Sequence, residues 1–136
     1  MFVDTSAFYA VLDAGDRYHD SAREFLLQAR SQALKLVSTS YVLTETIALV
    51  QRRGGLDPVR AFVSNIVPLL QVYWVEAEVH RAALAILLAA GQRELSLVDC
   101  VSFEVMRRFD IKQAFTFDRD FAVHGFECLP QRSARL

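Results

Sequence analysis

Cysteine is scarce, net charge is almost absent, and no stretch of the chain is both long and apolar. Cys100 and Cys128 are the two cysteines in 136 residues. They lie far apart without C-x-x-C spacing, which argues against a disulfide scaffold or a thiolate zinc site and leaves reduced thiols in the cytoplasm as the expectation. A formal net charge of −1 offers no bulk field for nucleic acid. Arginine nevertheless outnumbers lysine thirteen to two, and guanidinium is the better fork for phosphate oxygens. The longest apolar run, Ala82 to Ala90, is too short to span a bilayer and is flanked by charge, so no membrane association is expected. No basic segment with a cleavage site is visible, so secretion is not expected either. Linkers, repeats and low-complexity tracts are missing.

What is present is 53% hydrophobic and 11% aromatic content, enough for one domain with a proper core. That domain is expected over residues 1–130, with a polar tail at 131–136. Met1-Phe2-Val3 reads as a short buried strand delivering Asp4, and Thr5 and Ser6 offer hydroxyls ahead of a helix over Ala7–Leu12. After a turn at Asp13–Asp16, Ala22, Phe25, Leu26 and Ala29 recur at helical spacing behind a cap at His19 or Asp20. Leu34–Ser38 predicts a strand, and Tyr41–Arg53 a helix stopped by Gly54-Gly55. Asp57-Pro58 predicts a helix start with Asp57 as N-cap, an apolar stripe of Val59, Phe62, Val63 and Ile66, and an end at Pro68.

Leu70–Val75 is rich in β-branched and aromatic residues and predicts a strand. Glu76–Ala90 predicts a long apolar helix ended by Gly91. Ser96-Leu97-Val98-Asp99 opens another helix in capping-box fashion, reaching about Phe109. Ala114–Phe117 predicts a strand, followed by the turn Asp118-Arg119-Asp120 and a weak last strand at Phe126–Leu129. Strands separated by helices imply parallel pairing with right-handed crossovers and helices on both sheet faces. The expected fold is a three-layer α/β/α sandwich.

Four carboxylates stand out by position. Asp4 ends the first strand, Asp118 ends the strand Ala114–Phe117, and Asp99 lies in the first turn of a helix. Glu45 lies within the largely apolar helical stretch Val42–Ala48. In a doubly wound sheet the first strand neighbours a later one at the topological switch point, where Asp4 and Asp118 would face each other. Each acid also has a plain structural reading. Asp4 and Asp99 can cap helices, Asp118 can open a turn, and Glu45 can share a polar stripe with Gln51, Arg52 and Arg53.

Converging carboxylates need a cation. Two unit charges 4 Å apart repel by about 4 kcal/mol at an effective dielectric of about 20, which drives protons onto some of them. Hard oxygen donors without His or Cys favour Mg²⁺ or Mn²⁺. Such a centre activates a water and steadies charge on a phosphodiester.

The ordered set Val3-Asp4-Thr5-Ser6, Thr44-Glu45, Ser96-Leu97-Val98-Asp99 and Thr116-Phe117-Asp118-Arg119-Asp120-Phe121 resembles the PIN-domain ribonucleases, most closely the VapC-type toxins of toxin–antitoxin systems. The resemblance implies a mostly parallel sheet of about five strands and a Mg²⁺- or Mn²⁺-dependent endoribonuclease. It implies that Asp4, Asp99 and Asp118 hold the metal, with Asp120 as an alternative to Asp118. Glu45 would help hold a metal or orient the attacking water, and Ser6 and Thr116 would brace the acids. It further implies a cognate antitoxin and a homodimer or larger assembly. Arg52, Arg53, Arg107, Arg108 and Arg119 are the arginines placed to grip RNA phosphates. Phe8, Tyr9, Leu12, Phe62 and Ile66 are the residues placed to form an apolar antitoxin groove. Other readings stay open: a catalytically silent PIN-like domain that binds RNA or protein, and a housekeeping RNA-processing nuclease. A phosphotransferase of the haloacid dehalogenase type is set aside, because Ser6 stands where it needs a second Asp.

Overall fold

The computed structural model describes residues 1–132 of the 136. Its strands are β1 (Phe2–Val3), β2 (Leu36–Thr39), β3 (Leu70–Tyr73), β4 (Gln113–Phe115) and β5 (Glu127–Leu129). They form one sheet in the order β3-β2-β1-β4-β5, and every pairing is parallel. The helices are α1 (Thr5–Leu12), α2 (His19–Ser31), α3 (Ser40–Gly54), α4 (Leu56–Ala61), α5 (Ala77–Ala90), α6 (Leu97–Arg108) and α7 (Asp120–Val123). This is the expected α/β sandwich with five parallel strands. No helix among the described residues is long and apolar enough to cross a membrane. Of the tail expected at 131–136, residues 133–136 lie outside the described residues.

Strands β1, β2 and β3 step one way across the sheet, whereas β4 returns to the other side of β1. Right-handed crossovers therefore put α1 to α4 on one face and α5 to α7 on the other. The aromatic core follows this division. Val3 pairs with Phe115, whose ring meets Phe25 of α2 edge-on at 4.8 Å. Phe2 points to the opposite face, 6.3 Å from Phe121 of α7, which meets Phe103 of α6 at 4.9 Å. With only two residues, β1 survives because it is central. Both of its residues are fully buried, and Asp4 N–H continues the ladder by donating to Phe115 O at 3.1 Å.

Three local expectations are corrected. Asp57 is not an N-cap: Gly55 takes that place and α4 starts two residues earlier than expected, because Gly55, at φ 76°, already turns the chain out of α3. The helix expected to run on to Pro68 widens into a π turn at Phe62–Ile66 and tightens into a 3₁₀ turn at Val67–Leu69. Strand β4 ends at Phe115, so Asp118 stands beyond a short loop rather than directly on the strand.

A fourth correction concerns the expected antitoxin groove. Phe8 and Phe62 are buried core residues, meeting edge to face at 5.0 Å, and hold α1 against the π turn. They form the floor under that surface and do not line it. Leu12 and Ile66 do reach an open groove, with Leu26, Leu27 and Leu69 and with Arg23 and Arg30 at its rim. Tyr9 faces a neighbouring hollow with Arg53.

Candidate active site

The crevice at the carboxyl ends of β1 and β4 is the topological switch point of the sheet. Asp4 arrives there at the end of β1, nearly buried, and is also the N-cap of α1. Its Oδ2 accepts hydrogen bonds from Ser6 N–H at 3.3 Å, Ser6 Oγ at 2.8 Å and Thr116 Oγ1 at 2.9 Å. The two hydroxyls are themselves 3.2 Å apart. They also receive the loop after β4: Phe117 N–H donates to Ser6 Oγ at 2.9 Å, and Asp118 N–H to Thr116 Oγ1 at 3.0 Å. Capping and positioning are thus one arrangement, in which two hydroxyls lock Asp4 to the loop that carries Asp118.

Asp99 enters from α6. Ser96 caps that helix by accepting from Asp99 N–H at 3.0 Å, which sets Asp99 in the first turn. One carboxylate oxygen from each of Asp99, Asp118 and Asp120 lies within 4.8 Å of the others. The link between Asp118 and Asp120 is local, since Asp120 N–H donates to Asp118 Oδ1 at 2.9 Å. Asp4 lies outside that triad of oxygens, yet its charge is felt by Asp99, and the Asp118 charge is felt by both. Burial raises the Asp4 carboxyl from 3.8 to about 6, opposed by hydrogen bonds from Ser6, Thr116 and Thr5 and assisted by Asp118. Burial also raises Asp99 to about 7, reinforced by Asp4 and Asp118 and opposed by hydrogen bonding to Ser96.

Glu45 is half-buried on α3 and does not join the acidic triad. The arginines do not gather as the helix spacing suggested. Helices α3 and α6 start at the carboxyl edge and run back along the strands. Arg53 is thus about 12 Å along the axis from Glu45, and Arg107 the same from Asp99. Arg53 donates to Tyr9 Oη at 2.8 Å, and Arg108 pairs with Glu104 at 2.8 Å and Glu78 at 3.0 Å. Arg107 lies over the Phe126 ring at 5.7 Å, and Arg52 is exposed on the last turn of α3. Of the arginines singled out from the sequence, Arg119 alone adjoins the acids, exposed between Asp118 and Asp120.

Sequence reasoning left one more neighbour unseen. Tyr18 stacks on Phe117 with centroids 4.5 Å apart and planes 6° from parallel. Nothing in local spacing reveals a contact between residues so distant in the chain.

The arrangement can hold a cation. Its donors are carboxylate oxygens alone, and among the described residues no Lys or Arg forms an ion pair with any of the four aspartates. Buried acids with raised pKa values and no counter-charge suit a hard divalent ion.

Comparison with known proteins shows the family and the fold. The PIN domain family model matches residues 1–127, and the chain belongs to that family. Two relatives, both the 23S rRNA-specific endonuclease VapC20 from Mycobacterium tuberculosis strains CDC 1551 and H37Rv, are 35% identical over 127 residues, covering 93% of this chain and 95% of theirs. The crystal structure of M. tuberculosis VapC20, titled a Sarcin-Ricin loop cleaving toxin, superposes with a TM-score of 0.81 over 92% of this chain and 95% of that one.

The raised acids predict an unusual pH dependence in chelator-treated protein. Both folded-state values lie above the ordinary 3.8, so the native state binds more protons than the unfolded chain from about pH 4 to pH 7. Their stabilising contribution is complete below about pH 4 and is lost as pH rises through 6 and 7. Without metal, Tm is expected to fall between about pH 4 and 7, and Asp99→Asn to flatten that fall. An unchanged slope in the variant contradicts the assignment.

Proposed function

We propose that this chain is a Mg²⁺- or Mn²⁺-dependent endoribonuclease, the toxin of a toxin–antitoxin pair, acting in the cytoplasm on RNA phosphodiester bonds. The observation that carries the reading is the convergence of Asp99, Asp118 and Asp120 beside Asp4 at the switch point of a PIN-domain sheet, with no Lys or Arg ion-paired to them among the described residues. Asp4, Asp99 and Asp118 would hold the ion, with Asp120 close enough to share the work of Asp118. When bound, the cation supplies the charge that activates a water and stabilises the phosphodiester during in-line displacement.

The remaining groups position these acids. Ser6 and Thr116 fix Asp4 Oδ2 in place, leaving Oδ1 as the ligating oxygen. Ser96 sets Asp99 on the first turn of α6, where the helix dipole favours its ionised form. Glu45, outside the acidic triad, is assigned to orienting the attacking water. The M. tuberculosis relatives are named for 23S rRNA, so 23S rRNA is the first substrate to offer.

The antitoxin is assigned to the groove lined by Leu12, Leu26, Leu27, Ile66 and Leu69. Its apolar floor and the flanking Arg23 and Arg30 suit an amphipathic segment carrying acidic residues. A homodimer is the proposed assembly of the toxin itself, and exposed Trp74 and Leu88 offer apolar surface for it.

Asp4→Asn is expected to reduce cleavage of 23S rRNA more than about a hundredfold while leaving the circular dichroism spectrum unchanged. Undiminished cleavage in the presence of divalent metal would sink the reading. Light scattering is expected to give twice the 15.4 kDa chain mass for the free toxin and a larger stoichiometric complex with antitoxin. Leu27→Asp should abolish that complex without changing the free mass. A complex that survives the substitution contradicts the groove assignment.

A further inference from the structure

Arg132 lies beyond the residues matched by the PIN-domain model, yet it folds back onto the loop that carries Asp118. Its guanidinium donates to the Phe117 carbonyl and, at 3.0 Å, to Tyr18 Oη. Its Cζ sits 4.8 Å from the Tyr18 ring centroid and 5.8 Å from that of Phe117. Arg17 covers the same tyrosine at 4.7 Å. Phe117 separates Thr116, which bonds Asp4, from Asp118, so this cationic stack adjoins the acids directly. The charges of Arg132, Asp118 and Asp4 all reach the Cys128 thiol, which places them in one neighbourhood.

Every partner of Arg132 among the described residues is neutral: a carbonyl, a phenol and two rings. Among the described residues it forms no ion pair, whereas Arg60 and Arg108 are neutralised by carboxylates. Its contacts leave the other N–H donors of the fork open. A long side chain gives up rotamer freedom to be held this way, and the result is a fixed cation with no carboxylate partner among the described residues. A polyanion approaching four carboxylates meets repulsion, and a fixed cation at the rim offsets it.

We infer that Arg132, seated on Tyr18 and Phe117 and supported by Arg17, is a substrate-binding residue that grips an RNA phosphate beside the acidic crevice. The inference rests on the endoribonuclease reading and adds a contact from the C-terminal end of this chain. The aromatic seat sets the guanidinium, and the fork takes two oxygens of one phosphate. Arg17 adds a second positive charge on the same strand path.

The test measures binding of a labelled 23S rRNA fragment by fluorescence anisotropy across a KCl series, alongside cleavage kinetics. Arg132→Gln is expected to flatten the plot of log affinity against log salt by about 0.7, and the double variant with Arg17→Gln by about 1.4. KM is expected to rise about tenfold for Arg132→Gln, with kcat within about threefold of the unsubstituted protein. Arg132→Lys should keep the salt slope. An unchanged slope in Arg132→Gln overturns the inference. So does a loss confined to kcat with a lowered Tm, which would mark Arg132 as a tether of the loop alone. Absence of cleavage by the unsubstituted protein would count against the endoribonuclease reading, while the salt slopes would still decide the role of Arg132.

Discussion

The burial and mutual repulsion of converging carboxylates is the constraint on which this structure turns. Asp4 is almost fully buried, and its charge and that of Asp118 bear on Asp99. At an effective dielectric of about 20, a pair of such charges 4 Å apart costs about 4 kcal/mol, comparable to a large part of a domain's net stability. Without a cation the charged forms are disfavoured first by burial and then by each other, which is why Asp4 and Asp99 rise to about 6 and 7. The remainder of the fold keeps the acids together despite that cost.

It does so with rigid parts. A two-residue strand, buried on both faces and flanked by β2 and β4, aims Asp4 at the mouth of the sheet. Ser6 and Thr116 bond to the same carboxylate oxygen and to the backbone of the neighbouring loop, so Asp4 and Asp118 cannot drift independently. The Ser96 cap fixes where α6 begins, and thereby where Asp99 stands. Apolar packing behind these groups, with Phe2, Phe103 and Phe121 on one face and Phe8, Phe25, Phe62 and Phe115 on the other, resists relaxation of the crevice.

Much of this was legible in the residue order. The alternation of apolar strands and amphipathic helices predicted the parallel sheet, and the Ser96 cap was visible as a capping-box pattern. Spacing conveyed less about arginines. Positions Arg52, Arg53 and Arg107 follow the acids along the same helices, but a helix leaving the sheet edge carries them to its far end. Phe8 and Phe62 looked available for a partner because amphipathic stripes do not reveal whether a second layer covers them. The Tyr18–Phe117–Arg132 stack was invisible, since it joins three segments that meet only through the tertiary fold. Gly55 shifted the start of α4 through a backbone angle that composition does not encode.

In the proposed function, a site of four aspartates that takes a cation and a polyanionic substrate has to balance charge twice, once for the ion and once for the RNA. The carboxylates are proposed to answer the first need and Arg132, seated on Tyr18 and Phe117, the second. Anomalous diffraction from crystals grown with Mn²⁺ tests the first most directly. A peak ligated by Asp4, Asp99 and Asp118 is the predicted result. A crevice without a peak, or an ion bound elsewhere and out of reach of Asp4, would contradict the account.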